Sequence, residues 1–272
     1  LGDVYKRQMY ARFGSKVTIL QNGSVFLPKE DRDMAEAVEN VLKSYGVSVI
    51  TGAGLKEIKE GTAVYTKNGE EDTLDGDAIL LATGRGPNTE GLHAERAGVE
   101  LTKRGAVVTD KHLRTTAENI WAAGDVCGNL QFTYISLDDS RIILSDMQGD
   151  GSRTTENRGA FAYSVFMEPS FSRAGLSEKE AADKGLNYRV VRMNTDMIPK
   201  AKVLRKTTGM LKAVIDKDSG KILGAALFCP ESYEIINMVK LAMDHDLDYT
   251  VLRDFIYTHP TMSEGLNDLF AL

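Results

Sequence analysis

A short apolar run, an amphipathic helix and a second apolar run follow one another near the start of this chain, and that order restricts its fold more than any other feature. Val17 to Leu20 is the first run. From Asp31 to Tyr45 the residues Met34, Val38, Val41, Leu42 and Tyr45 fall on one helical face, and Gly46 stops the helix. Val47 to Ile50 is β-branched and reads as the next strand. Strand, helix and strand in this order predict a βαβ unit with a parallel pair. Thr62 to Lys67 alternates toward Asn68-Gly69, which predicts a hairpin. Ala78 to Ala82 (AILLA) reads as a buried strand ending at Thr83-Gly84.

The pattern loosens from Arg85 to about Arg158. A loop at Gly86-Pro87-Asn88 precedes expected strands at Ala106–Thr109 and Ile120–Ala123, then a helix from about Leu137 to Gln148. Polar, glycine-rich Gly149 to Gly159 reads as a linker. Beyond it the character becomes α+β, with strands at Tyr163–Met167, Tyr188–Asn194, Met210–Asp216 and Ile222–Cys229. Asp218-Ser219-Gly220 joins the last two as a hairpin, and Ser177 with Glu180 has capping-box spacing for a short helix closed by Gly185. A longer helix, Glu231 to His245, turns Ile235, Met238, Val239 and Ala242 inward. Leu1 to Gln8 (LGDVYKRQ) fits neither period and is read as frayed or foreign to the fold.

Composition narrows the function. The net charge is −6, the pI about 5.4, and the basic residues are scattered among acids, which argues against nucleic acid as a partner. No apolar run approaches the ~20 residues of a membrane-spanning helix, so no membrane partner is expected. The cysteines, Cys127 and Cys229, have neither disulfide-framework nor zinc-ligand spacing, and no metal site is expected. A reducing cytoplasm suits such a chain.

Three segments can carry chemistry. In ATGRGPN (Ala82 to Asn88) a strand ends on Gly84, where a backbone can approach a ligand with no Cβ between them. In IWAAGD (Ile120 to Asp125) the same device, at Gly124, is followed by a carboxylate, Asp125, that can accept hydrogen bonds from polyol hydroxyls. On spacing alone the first reads more readily as a strand followed by a turn, and the second as a helix N-cap or turn Asp. In HPTMSE (His259 to Glu264) a histidine can move a proton near neutral pH with a carboxylate fixing its tautomer. Thr261 and Glu264 also have capping-box spacing, so the pattern leaves a helix cap open as the alternative. His93, His112 and His245 sit in polar stretches, and both cysteines read as packed thiols.

ATGRGPN, IWAAGDVCGNLQFT and HPTMSE in this order resemble the class I pyridine-nucleotide-disulfide oxidoreductases, from Met9 to Leu272. YSVFMEPSFSRAGLSEKEA fits the opening of that family's dimerisation domain. QFTYISLDDSRI and THPTMSEGLNDLF are most similar to its reactive-chlorine-resistance flavoproteins, with the mercuric reductases nearby. The resemblance implies an α/β chain of partial FAD/NAD(P)-binding Rossmann-like domains, followed by an α+β dimerisation domain with an antiparallel sheet. Its divisions would be 9–84 (NAD(P)-binding), 85–158 (the C-terminal part of the FAD-binding domain) and 159–272 (dimerisation), with 1–8 foreign to them. Asp125, after Gly124, would hold the ribityl chain of FAD, and Thr133 would set its backbone at the flavin ring. Gly84 would approach the nicotinamide cofactor, with Leu55 on its adenine side. His259, oriented by Glu264, would serve the redox dithiol of a partner subunit. At the ribose position stand Gln21-Asn22-Gly23, with no arginine before Arg32, which favours NAD over NADP.

The family's glycine fingerprints and Cys-x4-Cys pair do not occur here. The expectation is therefore a C-terminal fragment of an FAD-dependent NAD(P)H oxidoreductase, itself inactive, that reduces a small-molecule acceptor as a homodimer. The same helix, with Ile235, Ile236, Met238 and Val239, supplies candidates for the patch buried against a second copy. The alternative is a dimerisation or binding module without redox chemistry.

Overall fold

The structure, a computed structural model, describes residues 4–272, with 4 and 5 by backbone alone. Among the described residues it contains two compact units, 81–159 and a second made of 4–80 with 160–272.

That unit opens with α1 (Val4–Arg12), where the sequence predicts a frayed or foreign segment. Residues 4–8 are thus helical rather than frayed; residues 1–3 lie outside the described residues. A tertiary partner secures the helix: the buried Gln8 carboxamide accepts the Glu168 N–H at 2.7 Å and donates to the Glu168 carbonyl at 2.6 Å.

The βαβ unit forms as expected from β1 (Thr18–Gln21), α2 (Arg32–Ser44) and β2 (Ser48–Thr51), with the strands parallel and Thr18 opposite Ser48. The inner face of α2 buries Met34, Ala35, Val38, Val41 and Leu42, while Tyr45, past the helix end, is exposed. An antiparallel sheet of β3 (Gly54–Lys59), β4 (Thr62–Lys67) and β5 (Glu70–Asp75) follows. Its β4–β5 turn uses Asn68 and Gly69, both at positive φ, the geometry that matches strand twist in a two-residue hairpin. The AILLA segment forms no strand, and Ile79, Leu80 and Leu81 are exposed. An apolar run shows what a segment can bury; a strand also needs a neighbour for its N–H groups, and none pairs with it among the described residues.

The rest of this unit is a five-stranded antiparallel sheet in the order β6-β7-β10-β9-β8. Its strands are β6 (Ala162–Val165), β7 (Phe171–Gly175), β8 (Tyr188–Asn194), β9 (Met210–Asp216) and β10 (Ile222–Phe228). The helices are α4 (Glu178–Asp183), α5 (Pro199–Leu204), α6 (Ser232–Asp244), α7 (Thr250–Asp254) and α8 (Gly265–Ala271). The sequence conceals β7, whose Ser172 and Arg173 break any apolar alternation, yet both are buried. Both halves of the Ser177–Glu180 capping box are present. Against the expectation of an exposed patch, α6 buries Ile235, Ile236 and Val239 in the core with Leu211, Leu227 and Phe270, and Met238 packs at its edge. An inward stripe on an amphipathic helix is first taken by its own sheet. Exposed apolar side chains of residues 160–272 include Phe166, Leu241 and Ile256.

In residues 81–159 the expected strands at 106–109 and 120–123 are reduced to isolated bridges, Leu101–Val107, Thr109–Thr115 and Arg114–Trp121. The helix, α3 (Thr133–Gln148), begins a turn earlier than expected and packs Ile142 on Leu113 and Cys127. Residues 149–159 are more than a linker: Thr154 caps a 3-10 turn, and Arg153 and Arg158 pair with Asp138 and Asp139 of α3. No helix among the described residues is long and apolar enough to cross a membrane.

Candidate functional site

The Gly-Asp segment is a 3-10 turn, Gly124–Cys127, held against α3. Gly124 has φ +76°, a conformation that favours glycine, and a Cβ there would stand 2.8 Å from Ser136 Oγ and displace that hydroxyl. Its N–H donates to Asp139 Oδ2 at 2.6 Å. Asp139 is the residue that sequence reasoning misses, and Arg158 in turn pairs with it. Its signal would have been a carboxylate on the inward face of α3, between Ile135 and Ile142. So anchored, the turn presents Asp125 with its side chain half exposed, 3.9 Å from Arg85 Nη1. Thr133 is the first residue of α3, where helix N–H groups point outward without helical partners. Gly84 lies in an open, exposed loop at φ +131°, with nothing within 4 Å of an added Cβ.

In the other unit, β1 ends at Gln21, whose carbonyl accepts the Ala53 N–H at 3.0 Å, while the Gly23 carbonyl accepts that of Gly52 at 2.9 Å. These bonds bring the end of β1 beside the start of β3, where Leu55 is exposed. Arg32 is committed elsewhere: its guanidinium donates to the carbonyls of Phe26, Leu27 and Glu30 at 2.9, 2.6 and 2.8 Å.

His259 Nδ1 lies 2.7 Å from Glu264 Oε2, with the imidazole 68% exposed and the carboxylate only 15% exposed. Glu264 Oε1 accepts the Thr261 N–H at 3.0 Å, and Thr261 Oγ1 accepts the Glu264 N–H at 3.4 Å. The two sequence readings therefore coexist in one carboxylate. Its first oxygen closes the turn ahead of α8, and its second faces the histidine. With Nδ1–H donating to Glu264, the lone pair of the imidazole resides on the outward Nε2.

Both cysteines are buried. Burial, and then the neighbouring Asp139 carboxylate, pushes the Cys127 thiol up to about 11. Burial pushes Cys229 up to about 12. At neutral pH both remain thiols.

The chain belongs to the pyridine nucleotide-disulphide oxidoreductase family, whose sequence profile matches residues 8–140 and whose dimerisation-domain profile matches residues 161–270. It is 49% identical to the probable pyridine nucleotide-disulfide oxidoreductase RclA of Escherichia coli (strain K12), across 97% of this chain and 60% of that protein. The mercuric reductase of Staphylococcus aureus is 33% identical, covering 95% of this chain and 48% of its own length. Among solved structures, the HOCl-induced flavoprotein disulfide reductase RclA from Escherichia coli superposes with a TM-score of 0.92 at 48% identity. That match covers 99% of this chain and 62% of the E. coli chain. Its Cu(II) complex superposes with a TM-score of 0.93 over the same 99% and 62%. The chain thus spans about three fifths of the length of these E. coli relatives.

Proposed function

We propose that the whole protein is an FAD-dependent NAD(P)H:acceptor oxidoreductase of the disulfide-reductase class, acting in the cytoplasm as a homodimer. The observation that carries this reading is the exposed His259 backed by Glu264, an arrangement a turn alone does not need. FAD, when bound, would take a hydride from the reduced nicotinamide and pass the electrons to the acceptor. Asp125 would accept hydrogen bonds from the flavin's polyol chain, on a turn that Gly124 and Asp139 hold in place. Thr133 would offer its backbone at the start of α3, and Gly84 would let the dinucleotide approach the backbone. Gln21 would face the adenosine ribose, with Leu55 beside the adenine. NAD fits this end better than NADP, because a 2′-phosphate calls for a free arginine and Arg32 is spent on three carbonyls. His259 Nε2 would take and return the proton of a redox thiol. That thiol lies outside these residues, since Cys127 and Cys229 are both buried.

The dimerisation-domain match over residues 161–270 supports association through that region. Phe166, Leu241 and Ile256 are the exposed apolar candidates that replace the α6 core residues. The acceptor is a small molecule: a disulfide, a quinone or a metal ion, with the relative's Cu(II) complex giving the last a specific motive.

The test is expression of the longest open reading frame that contains this chain. A flavin spectrum, NADH-driven bleaching, dimeric mass by light scattering and turnover with a disulfide, a quinone or Cu(II) are the expected results. A colourless protein that leaves NADH untouched favours the rival reading, a dimerisation or binding module.

A further inference from the structure

The loop between β1 and α2 is gripped from the antiparallel sheet through buried charge. Arg173 of β7 has its side chain 9% exposed; its Nη1 donates to the Lys29 carbonyl at 2.7 Å and stands 3.4 Å from the Glu30 carboxylate. Tyr163 of β6 donates its hydroxyl to the same buried Glu30. Asp31 forms no side-chain cap for α2, the helix it precedes. Its oxygens instead accept the N–H groups of Glu178 and Lys179 at 3.0 and 3.2 Å, capping α4 across about 150 residues of sequence. Lys212 of β9, 2% exposed, lies 2.9 Å from Asp31, 3.1 Å from Asp33 and 2.7 Å from Glu178. Arg192 of β8 reaches Asp33 at 2.8 Å and Glu178 at 2.6 Å.

A buried lysine among carboxylates is a poor source of stability, because desolvation offsets the attraction and apolar packing would serve as well. What such a cluster supplies is geometry: Arg173 and Lys212 admit one placement of residues 29–33, where an apolar contact would tolerate sliding. Within the same loop Arg32 gathers the carbonyls of 26, 27 and 30, three to seven residues along the chain from the turn that ends at Gly23.

We propose that Arg173 and Lys212 are positioning residues for the dinucleotide: the sheet matched by the dimerisation profile sets the shape of the β1–α2 loop and hence its affinity for the nicotinamide cofactor. The inference rests on the reading that Gln21 faces that cofactor.

The decisive variant is Arg173→Lys in the full-length enzyme. One ammonium keeps the charge beside Glu30 and Glu180 but lacks the fork that also reaches the Lys29 carbonyl. The expected result is a KM for NADH raised about tenfold with kcat nearly unchanged, the signature of lost uniform binding. Backbone amides of residues 22–30 should exchange faster with deuterium in the same protein. Arg192→Gln, at a partly exposed end of the cluster, should shift KM in the same direction by less, and it serves if Arg173→Lys does not fold. Gln21→Trp separates the two readings. A raised KM in Gln21→Trp with an unchanged KM in Arg173→Lys, or in Arg192→Gln where that variant stands in, overturns the positioning inference alone. An unchanged KM in Gln21→Trp overturns the placement of the cofactor at Gln21, and the inference with it.

Discussion

Replacing Glu264 by glutamine changes a single atom and separates the two tasks of that side chain. The carboxamide oxygen can still accept the Thr261 N–H, which lies 3.0 Å from Glu264 Oε1, so the turn ahead of α8 survives. Exchanging a charged for a neutral acceptor at one partly buried bond costs about 1 kcal/mol, or a few degrees in Tm for a chain of this size. The other end of the amide, an NH2, would face His259 Nδ1, which now lies 2.7 Å from an acceptor. An N–H donor there forces the ring proton onto Nε2, and the outward lone pair is lost. Proton transfer by a positioned base is typically worth about 10²- to 10⁴-fold, so turnover with a dithiol-linked acceptor should fall by a factor in that range. Reduction of the flavin by NADH, which needs no such base, should be unaffected. Glu264→Ala loses both bonds and should cost about 1–3 kcal/mol. The tautomer is readable without cofactor, in this 272-residue chain, by nitrogen–proton correlation of its four histidines at mildly alkaline pH. Nδ1–H is expected in the wild type and Nε2–H in Glu264→Gln. A wild-type ring protonated at Nε2, or full turnover in Glu264→Gln, refutes the reasoning.

Two further outcomes test the fold. Gly209 sits at φ +125°, and a Cβ there would stand 1.8 Å from the Phe228 carbonyl oxygen, whereas Gly185 at φ +66° has nothing within 4 Å. Gly185→Ala should cost about 1–2 kcal/mol for its backbone alone and Gly209→Ala clearly more, so equal losses by denaturant titration would contradict the packing described. Acid should act through Asp31 and Asp33. Burial alone would raise these carboxyls, but Lys212 outweighs it, helped at Asp31 by the Glu178 and Lys179 N–H groups and at Asp33 by Arg192. Both are held below the ordinary 3.8. Their contribution is thus complete above that value and lost as pH falls through the folded values. Stability followed from pH ~5 downward should decline less steeply in Asp31→Asn than in the wild type, and parallel curves would show that Asp31 is not the linked group.

Local signals in the sequence were enough for the βαβ unit, the Asn68-Gly69 hairpin, the α4 capping box and four of the five strands of the antiparallel sheet, because each depends on residues a few positions apart. The order of three short motifs was enough for the family, although each motif alone reads as a turn. Long-range partners decided the rest. AILLA has the composition of a strand but no neighbour to pair with among the described residues, and Val4 to Gln8 lack a helical pattern yet open α1, where Gln8 bonds Glu168. The α6 residues expected to meet a partner are taken by its own sheet, because a core claims an apolar stripe before an interface can. Whether Glu264 was a cap or an orienter could not be read from spacing, since one carboxylate has two oxygens and only the fold aims them apart. The cluster around Lys212 joins positions 31, 33, 178, 192 and 212. Each of these is an unremarkable charged residue in sequence, and only the tertiary structure decided that they meet, because the energy of a buried ion depends on its surroundings and not on its place in the chain.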